Sequence, residues 1–160
     1  MIRPPRCAAC LLGVVLLAGC SGIKTYPDAS PKNLFVRTEA SSGSILGGTR
    51  VSVHIHEVDA NCRTQYLGTV QLDEPTVEIG IPQARPSYLV FNFYSSSFLG
   101  SSTGSINYET LLLPRAGYTY DVTARYADGI YYVAIRESGA RGSAGREVAR
   151  RGLTDCARRS

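Results

Sequence analysis

Apolar and polar residues alternate along most of this chain with a period of two rather than 3.6. Between Thr49 and Val58, Val51, Val53 and Ile55 alternate with Ser52, His54 and His56. Thr76 to Ile81 sets Val77, Ile79 and Ile81 against Glu78, and Tyr88 to Tyr94 sets Leu89, Phe91 and Phe93 against Asn92. Successive strand side chains point to opposite faces, so this alternation between Gly, Pro and Ser punctuation predicts half-buried β-strands. Weaker patterns over Leu34–Thr38, Tyr66–Leu72 and Ile106–Leu113 predict three more.

The strongest local signal surrounds Asp128-Gly129. This dipeptide tolerates the positive φ angles of a type I′ turn, whose twist matches that of the flanking strands. A hairpin closed there pairs Ala127 with Ile130, Tyr126 with Tyr131, Ala124 with Val133 and Val122 with Ile135. The last three pairs share one apolar and aromatic face. On the other face Arg125 meets Tyr132 and Asp121 meets Arg136, which predicts a cation–π pair and an ion pair. Such cross-strand pairs contribute about 0.2–1 kcal/mol each, and a one-residue slip breaks every match. The hairpin therefore spans Tyr118–Glu137.

About eight short strands, with turns about every 8–14 residues and no long helical pattern, predict an all-β fold. The economical architecture is an antiparallel β-sandwich of about 7–8 strands, immunoglobulin-like or transthyretin-like. Only Gly145 to Leu153 (GREVARRGL) has the look of a helical turn or two, with Gly152 as its stop. The expected division is a leader over 1–19, a tether over 20–33, the sandwich over 34–137 and a basic segment over 138–160.

The leader is read from its own pattern. Arg3 and Arg6 form a positive start, Cys7 to Leu17 is apolar, and Leu17-Ala18-Gly19-Cys20 ends the run with small residues and a thiol. A charged start, a short apolar run and a small-residue cleavage site define a secretory signal. At about eleven residues the run is shorter than the roughly 20 that a membrane-spanning helix needs. The last four residues resemble the lipobox of bacterial lipoproteins. That resemblance implies cleavage before Cys20, a diacylglycerol thioether on its sulfur and a further amide-linked chain. Two or more acyl chains anchor stably where one does not. Ser rather than Asp at position 21 resembles the outer-membrane sorting signal of Gram-negative lipoproteins, and implies a domain facing the periplasm. Ser21 to Lys32 (SGIKTYPDASPK) reads as a short polar tether.

Processing changes the charge. The chain's 17 basic and 13 acidic residues lose Arg3 and Arg6 with the signal, which lowers the formal charge from +4 to +2. That balance argues against nucleic-acid binding. The remaining excess is local: Arg136, Arg141, Arg146, Arg150, Arg151, Arg158 and Arg159 crowd the C-terminus. Such a tail is either solvated or a contact for anionic lipid heads or an acidic partner, with Arg150 and Arg151 as the contact candidates.

Processing also changes the cysteine count. Cys7 and Cys10 leave with the signal and Cys20 is acylated, so Cys62 and Cys156 form the one possible intramolecular pair. In an oxidising compartment a disulfide is expected. It would close a loop of about 95 residues, which chain-entropy models credit with roughly 4.5 kcal/mol. It would also pin the basic C-terminus back onto the loop after an early strand.

Candidate chemistry is sparse. His54 and His56 share a strand face, so two imidazoles are available to a metal, while Glu57 faces the other way. Zinc needs two further ligands, and none stands at a telling spacing. No Gly-x-Ser-x-Gly elbow or Ser-x-x-Lys motif occurs. Tyr118, Tyr120, Tyr126, Tyr131 and Tyr132 suggest a stacking platform for sugars, but only Tyr132 falls on the exposed parity. Two similar loops stand out instead: Glu39–Gly48 (EASSGSILGG) and Ser95–Gly104 (SSSFLGSSTG) each carry one apolar dipeptide, Ile45-Leu46 or Phe98-Leu99, amid Ser and Gly. Binding residues concentrate on such surface loops, so these four side chains are candidate partner contacts.

The overall layout, an acylated cysteine, a short tether and one sandwich, resembles small proteobacterial envelope lipoproteins. Lys24-Thr25-Tyr26-Pro27 and Pro114-Arg115-Ala116-Gly117-Tyr118-Thr119-Tyr120 carry that resemblance, and the transthyretin-like lipoprotein of type VI secretion systems has a similar design. The expectation is a non-catalytic, periplasm-facing lipoprotein that contacts an envelope protein partner and uses no cofactor. The alternative is a ligand-binding module for metal, glycan or lipid.

Overall fold

The structure, a computed structural model, describes residues 22–40, 48–96, 103–127, 130–139 and 145–157. Its strands are β1 (Leu34–Ala40), β2 (Gly48–Val58), β3 (Thr64–Gln71), β4 (Thr76–Ile79), β5 (Ser87–Ser96), β6 (Thr103–Leu112), β7 (Tyr118–Ala127), β8 (Ile130–Gly139) and β9 (Arg146–Glu147), followed by a short helix α1 (Thr154–Ala157). One sheet has the order β4-β1-β7-β8-β9 and the other β3-β2-β5-β6. This is the β-sandwich that the alternation predicts. The immunoglobulin arrangement sets the first two strands side by side in one sheet. Here β1 and β2 lie in different sheets, so the strand order is not that arrangement. One pair departs from the antiparallel expectation: β1 and β7 run parallel, because both enter the sandwich from the same end.

The core forms where the inward parities of the two sheets meet. Val51, Val53, Ile55, Leu89, Phe91 and Phe93 come from one sheet, and Leu34, Val36, Tyr120, Val122 and Ala124 from the other, all buried. Full burial of such aliphatic and aromatic side chains stabilises by about 1.5–3 kcal/mol each. The β7–β8 register matches the sequence expectation pair for pair, from Ala127 and Ile130 to Asp121 and Arg136. The Tyr126 and Tyr131 rings stack with centroids 4.6 Å apart. The outer face differs. Arg136 sends its guanidinium to the Gly145 carbonyl, 3.3 Å away, rather than to Asp121. The cation–π contacts also form elsewhere, from Arg115 over Tyr118 and from Arg150 over Tyr108, rather than between Arg125 and Tyr132.

The N-terminal segment is not a free tether. Thr25 bridges to Thr69 on the outer edge of β3, and the Tyr26 and Thr69 amides donate to Thr69 and Lys24 carbonyls. Tyr26 is buried and its hydroxyl donates to the Gly80 carbonyl at 2.8 Å. Asp28 accepts the Gly80 amide and pairs with Lys32. The approach is close enough to require glycine: a Cβ on Gly68 would stand 2.5 Å from the Tyr26 Cα, and one on Gly80 would stand 1.9 Å from the Ser30 carbonyl oxygen. Buried Asn33 then takes the place of a strand residue. Its side-chain amide exchanges two 2.9 Å hydrogen bonds with the main chain of Ile81. The sandwich thus begins near Lys24 rather than at Leu34.

The C-terminal segment is likewise built in. Gly145–Leu153 is extended instead of helical, because the outer edge of β8 offers unpaired main-chain groups that a helix would leave exposed. Arg136 pairs with Glu147 and Glu137 with Arg146, and the Val148 amide donates to Ile135 while its side chain packs on the core. The chain then crosses to the other sheet, where the Leu111 amide donates to the Arg151 carbonyl at 2.8 Å. Gly152 leads into α1 rather than stopping a helix, and its amide donates to Asp155. Cys156 in α1 is disulfide-bonded to Cys62, with Cα atoms 5.8 Å apart. Cys62 sits in the left-handed region (φ 61°) of the β2–β3 loop. Asp59 holds that loop by accepting the amides of Asn61 and Arg63, and the Arg63 amide is the chief cause that keeps the Asp59 carboxyl below its ordinary pKa.

Residues 145–157 therefore form a strap from β8 across to β6 and on to the β2–β3 loop. Cys156→Ser should lower unfolding stability in urea by about 2–4 kcal/mol. It should also speed amide exchange at Leu111 and Val148 before the rest of the core. Unchanged exchange at those two amides would mean that the strap holds without its bridge.

Candidate functional site

The strand registers bring the sequence-predicted loops to one end of the sandwich. Gly48 pairs with Ser96, Ser96 with Thr103, and Ala40 with Tyr126. The described residues that flank segments 41–47, 97–102 and 128–129 therefore all lie at that end. Ile45, Leu46, Phe98 and Leu99 themselves lie outside the described residues, as does Cys20. The disulfide and α1 occupy the opposite end.

His54 and His56 share the outer face of the β3-β2-β5-β6 sheet, as their parity requires. Both are half-buried rather than freely solvated. His56 lies between Tyr66 and Tyr88, with ring centroids 5.2 Å and 6.1 Å away. Tyr66 hydrogen-bonds Thr69, which in turn approaches the Nδ1 of His54 at 3.4 Å. Tyr88 donates to Glu109 at 2.5 Å, and burial followed by that bond pushes its pKa up to about 12. Burial first, and the neighbouring His54 second, lowers the pKa of His56. Among the described residues no three His, Cys, Asp or Glu side chains gather as a metal site. Glu57, on the opposite parity, pairs with Arg85.

The tyrosines divide as their parities predict. Tyr120 is fully buried, donating to Glu137 at 2.9 Å and accepting the Arg115 amide. Glu137 is buried too and is held by Arg115 and Arg146. Tyr126 and Tyr131 pack against the core, and Tyr132 is 53% exposed. No sugar platform assembles from these side chains. A wide-open cleft of about 660 Å³ is lined by Thr38, Thr49, Arg50 and the β3–β4 turn.

Of the two basic candidates, Arg150 is spent on structure as much as on solvent. Its guanidinium donates to the Glu109 carbonyl and lies 4.9 Å from the Tyr108 ring centroid. Arg151 contributes main chain, its amide meeting Thr110 and its carbonyl Leu111. Beside them stands a group that the loops and charges did not signal. Ile106 on β6 and Ile130 and Tyr132 on β8 are exposed large side chains, on the two strands that the strap joins. The signal for it is present in the sequence, since Gly104-Ser105-Ile106-Asn107-Tyr108 contains neither charge nor proline to guard a sheet edge.

The chain matches no protein-family model, no curated protein and no solved structure. Fold and surface together define a disulfide-strapped β-sandwich with exposed apolar side chains on β6 and β8. No helix among the described residues is long and apolar enough to cross a membrane.

The lowered pKa of His56 has a sign that can be measured. On acidification the unfolded chain binds this proton first, so stability is full above pH 6.5 and falls as the pH drops toward the lowered value. His56→Gln should flatten the fall in urea midpoint on acidification. An equally steep fall in the variant would assign the pH dependence to other groups.

Proposed function

We propose that this chain is a lipid-anchored, periplasm-facing interaction module of the bacterial envelope, acylated at Cys20 and without catalytic chemistry. The observation that carries the reading is the N-terminal clamp on the β3 edge. Lys24 is already fixed there, so only four peptide units separate Cys20 from the folded body. An extended chain of that length reaches about 14 Å. The anchor therefore holds the sandwich close against the bilayer on its β3 side. The opposite side, with Ile106, Ile130 and Tyr132, faces away from the lipid. Large apolar side chains left exposed on that side of a small sandwich fit a protein contact. Ser21 favours the outer membrane as the anchoring bilayer.

The second reading, a ligand-binding module, draws on the half-buried stripe of Tyr66, His56 and Tyr88. The two readings separate in one experiment. In-cell crosslinking of the tagged, acylated protein should capture one defined envelope protein. That adduct should survive the double substitution His54→Ala and His56→Ala, and should weaken when segments 41–47 and 97–102 are shortened. Cys20→Ala should remove the protein from the membrane fraction. An adduct lost with the histidines, or an acylated protein that captures nothing, would overturn the adaptor reading.

A further inference from the structure

The main chain of β6 is open along half its length, and the parity of its pairing identifies the open groups. The Leu111 amide donates away from β5, to Arg151, and the Glu109 carbonyl accepts from Arg150. Leu111 and Glu109 are thus outward-facing positions of the antiparallel ladder, in which hydrogen-bonded and non-bonded pairs alternate. The β5–β6 register runs without a bulge from Leu112 to Thr103. Asn107 and Ser105 therefore also turn their N–H and C=O outward, and among the described residues nothing pairs with them. On β8 the Ile135 carbonyl accepts from Val148, which by the same argument turns Val133 and Tyr131 outward.

These two open stretches face the same gap. The strap closes its lower half, with Val148 packed against the core, and among the described residues nothing covers its upper half. Ile106, on the inward parity of β6, is 47% exposed. The strap shows what covers this side of the fold: extended chain, bonded through its backbone, with a β-branched side chain turned inward. A ligand that continues the strap is a further piece of extended chain.

We propose that an extended segment of a partner protein adds as a β-strand to Gly104–Tyr108 of β6, with its apolar side chains against Ile106 and Tyr108 and a carboxylate beside Arg150. This deepens the adaptor reading and takes its orientation from it. With the anchor on the β3 side, β6 points away from the bilayer. Two copies in one leaflet then hold their β6 edges in the same direction and cannot pair them. A strand delivered from the periplasm can. Main-chain bonding gives such a complex its affinity, and alternate side chains give it specificity.

The test uses the full acylated chain in detergent micelles and, as probe, a blocked hexapeptide of aspartate followed by alternating valine and threonine. At millimolar peptide, amide exchange at Ser105 and Asn107 should slow about tenfold, whereas Ile106 and Tyr108, which face β5, stay unchanged. Asn107→Pro should abolish the response and, against an Asn107→Ala control that also loses the exposed Asn92 side-chain bond, cost no further stability, because that amide takes no part in the β5 ladder. Absent slowing, uniform slowing along β6, or slowing on β3 instead would overturn the proposal. So would slowing without peptide that rises with protein concentration, which would assign the edge to a second copy. Any of these results leaves the in-cell crosslink as a separate measure of the adaptor reading.

Discussion

A two-sheet sandwich must account for its edges, because every edge strand presents main-chain donors and acceptors that need a partner or water. This chain closes its edges largely with its own ends. The N-terminal segment bridges β3 through Thr25 and Thr69, and the strap covers part of β8 and then part of β6. The edge strand β4 is only four residues long. Everything distinctive about the surface follows from where this closure stops, which is at Val133 on β8 and at Tyr108 on β6.

The closure is held by polar groups as much as by the apolar core. Asn33 supplies Ile81 with both a donor and an acceptor, and Tyr120 donates a hydrogen bond to a buried Glu137 that Arg115 and Arg146 hold. Each such bond contributes only about 1 kcal/mol net, but leaving one partner buried and alone costs about 1–3 kcal/mol. The two chain ends are thereby tied to particular strands, not simply laid against the core. Cys62–Cys156 adds a covalent tie at the end opposite the Ser/Gly loops.

The strands were legible from the sequence because burial on one face imposes a period of two, and the hairpin was legible to the residue because its turn fixes the register. The Cys62–Cys156 pair followed from elimination. The two ends were not legible, for a physical reason: their partners are distant in sequence. Nothing local in Lys24-Thr25-Tyr26 announces that Gly68 leaves room for Tyr26. Gly145–Leu153 has charges spaced as on a helix, yet the open edge of β8 rewards Arg146, Glu147 and Val148 for staying extended. The exposed face of Ile106 escaped notice likewise, since its parity is the inward one and only the strap's end leaves it uncovered.

The account turns on the anchor and the open edge lying on opposite sides of the molecule. Strands about 4.8 Å apart separate β3 from β6 by about 14 Å across the sheet. Spin labels at Gln65→Cys on β3 and Asn107→Cys on β6, in the acylated chain on vesicles, would report this directly against a headgroup-bound relaxation agent. The label at 65 should be strongly relaxed and the label at 107 weakly. Equal relaxation, or stronger relaxation at 107, would contradict the account, because the open edge would then face the lipid.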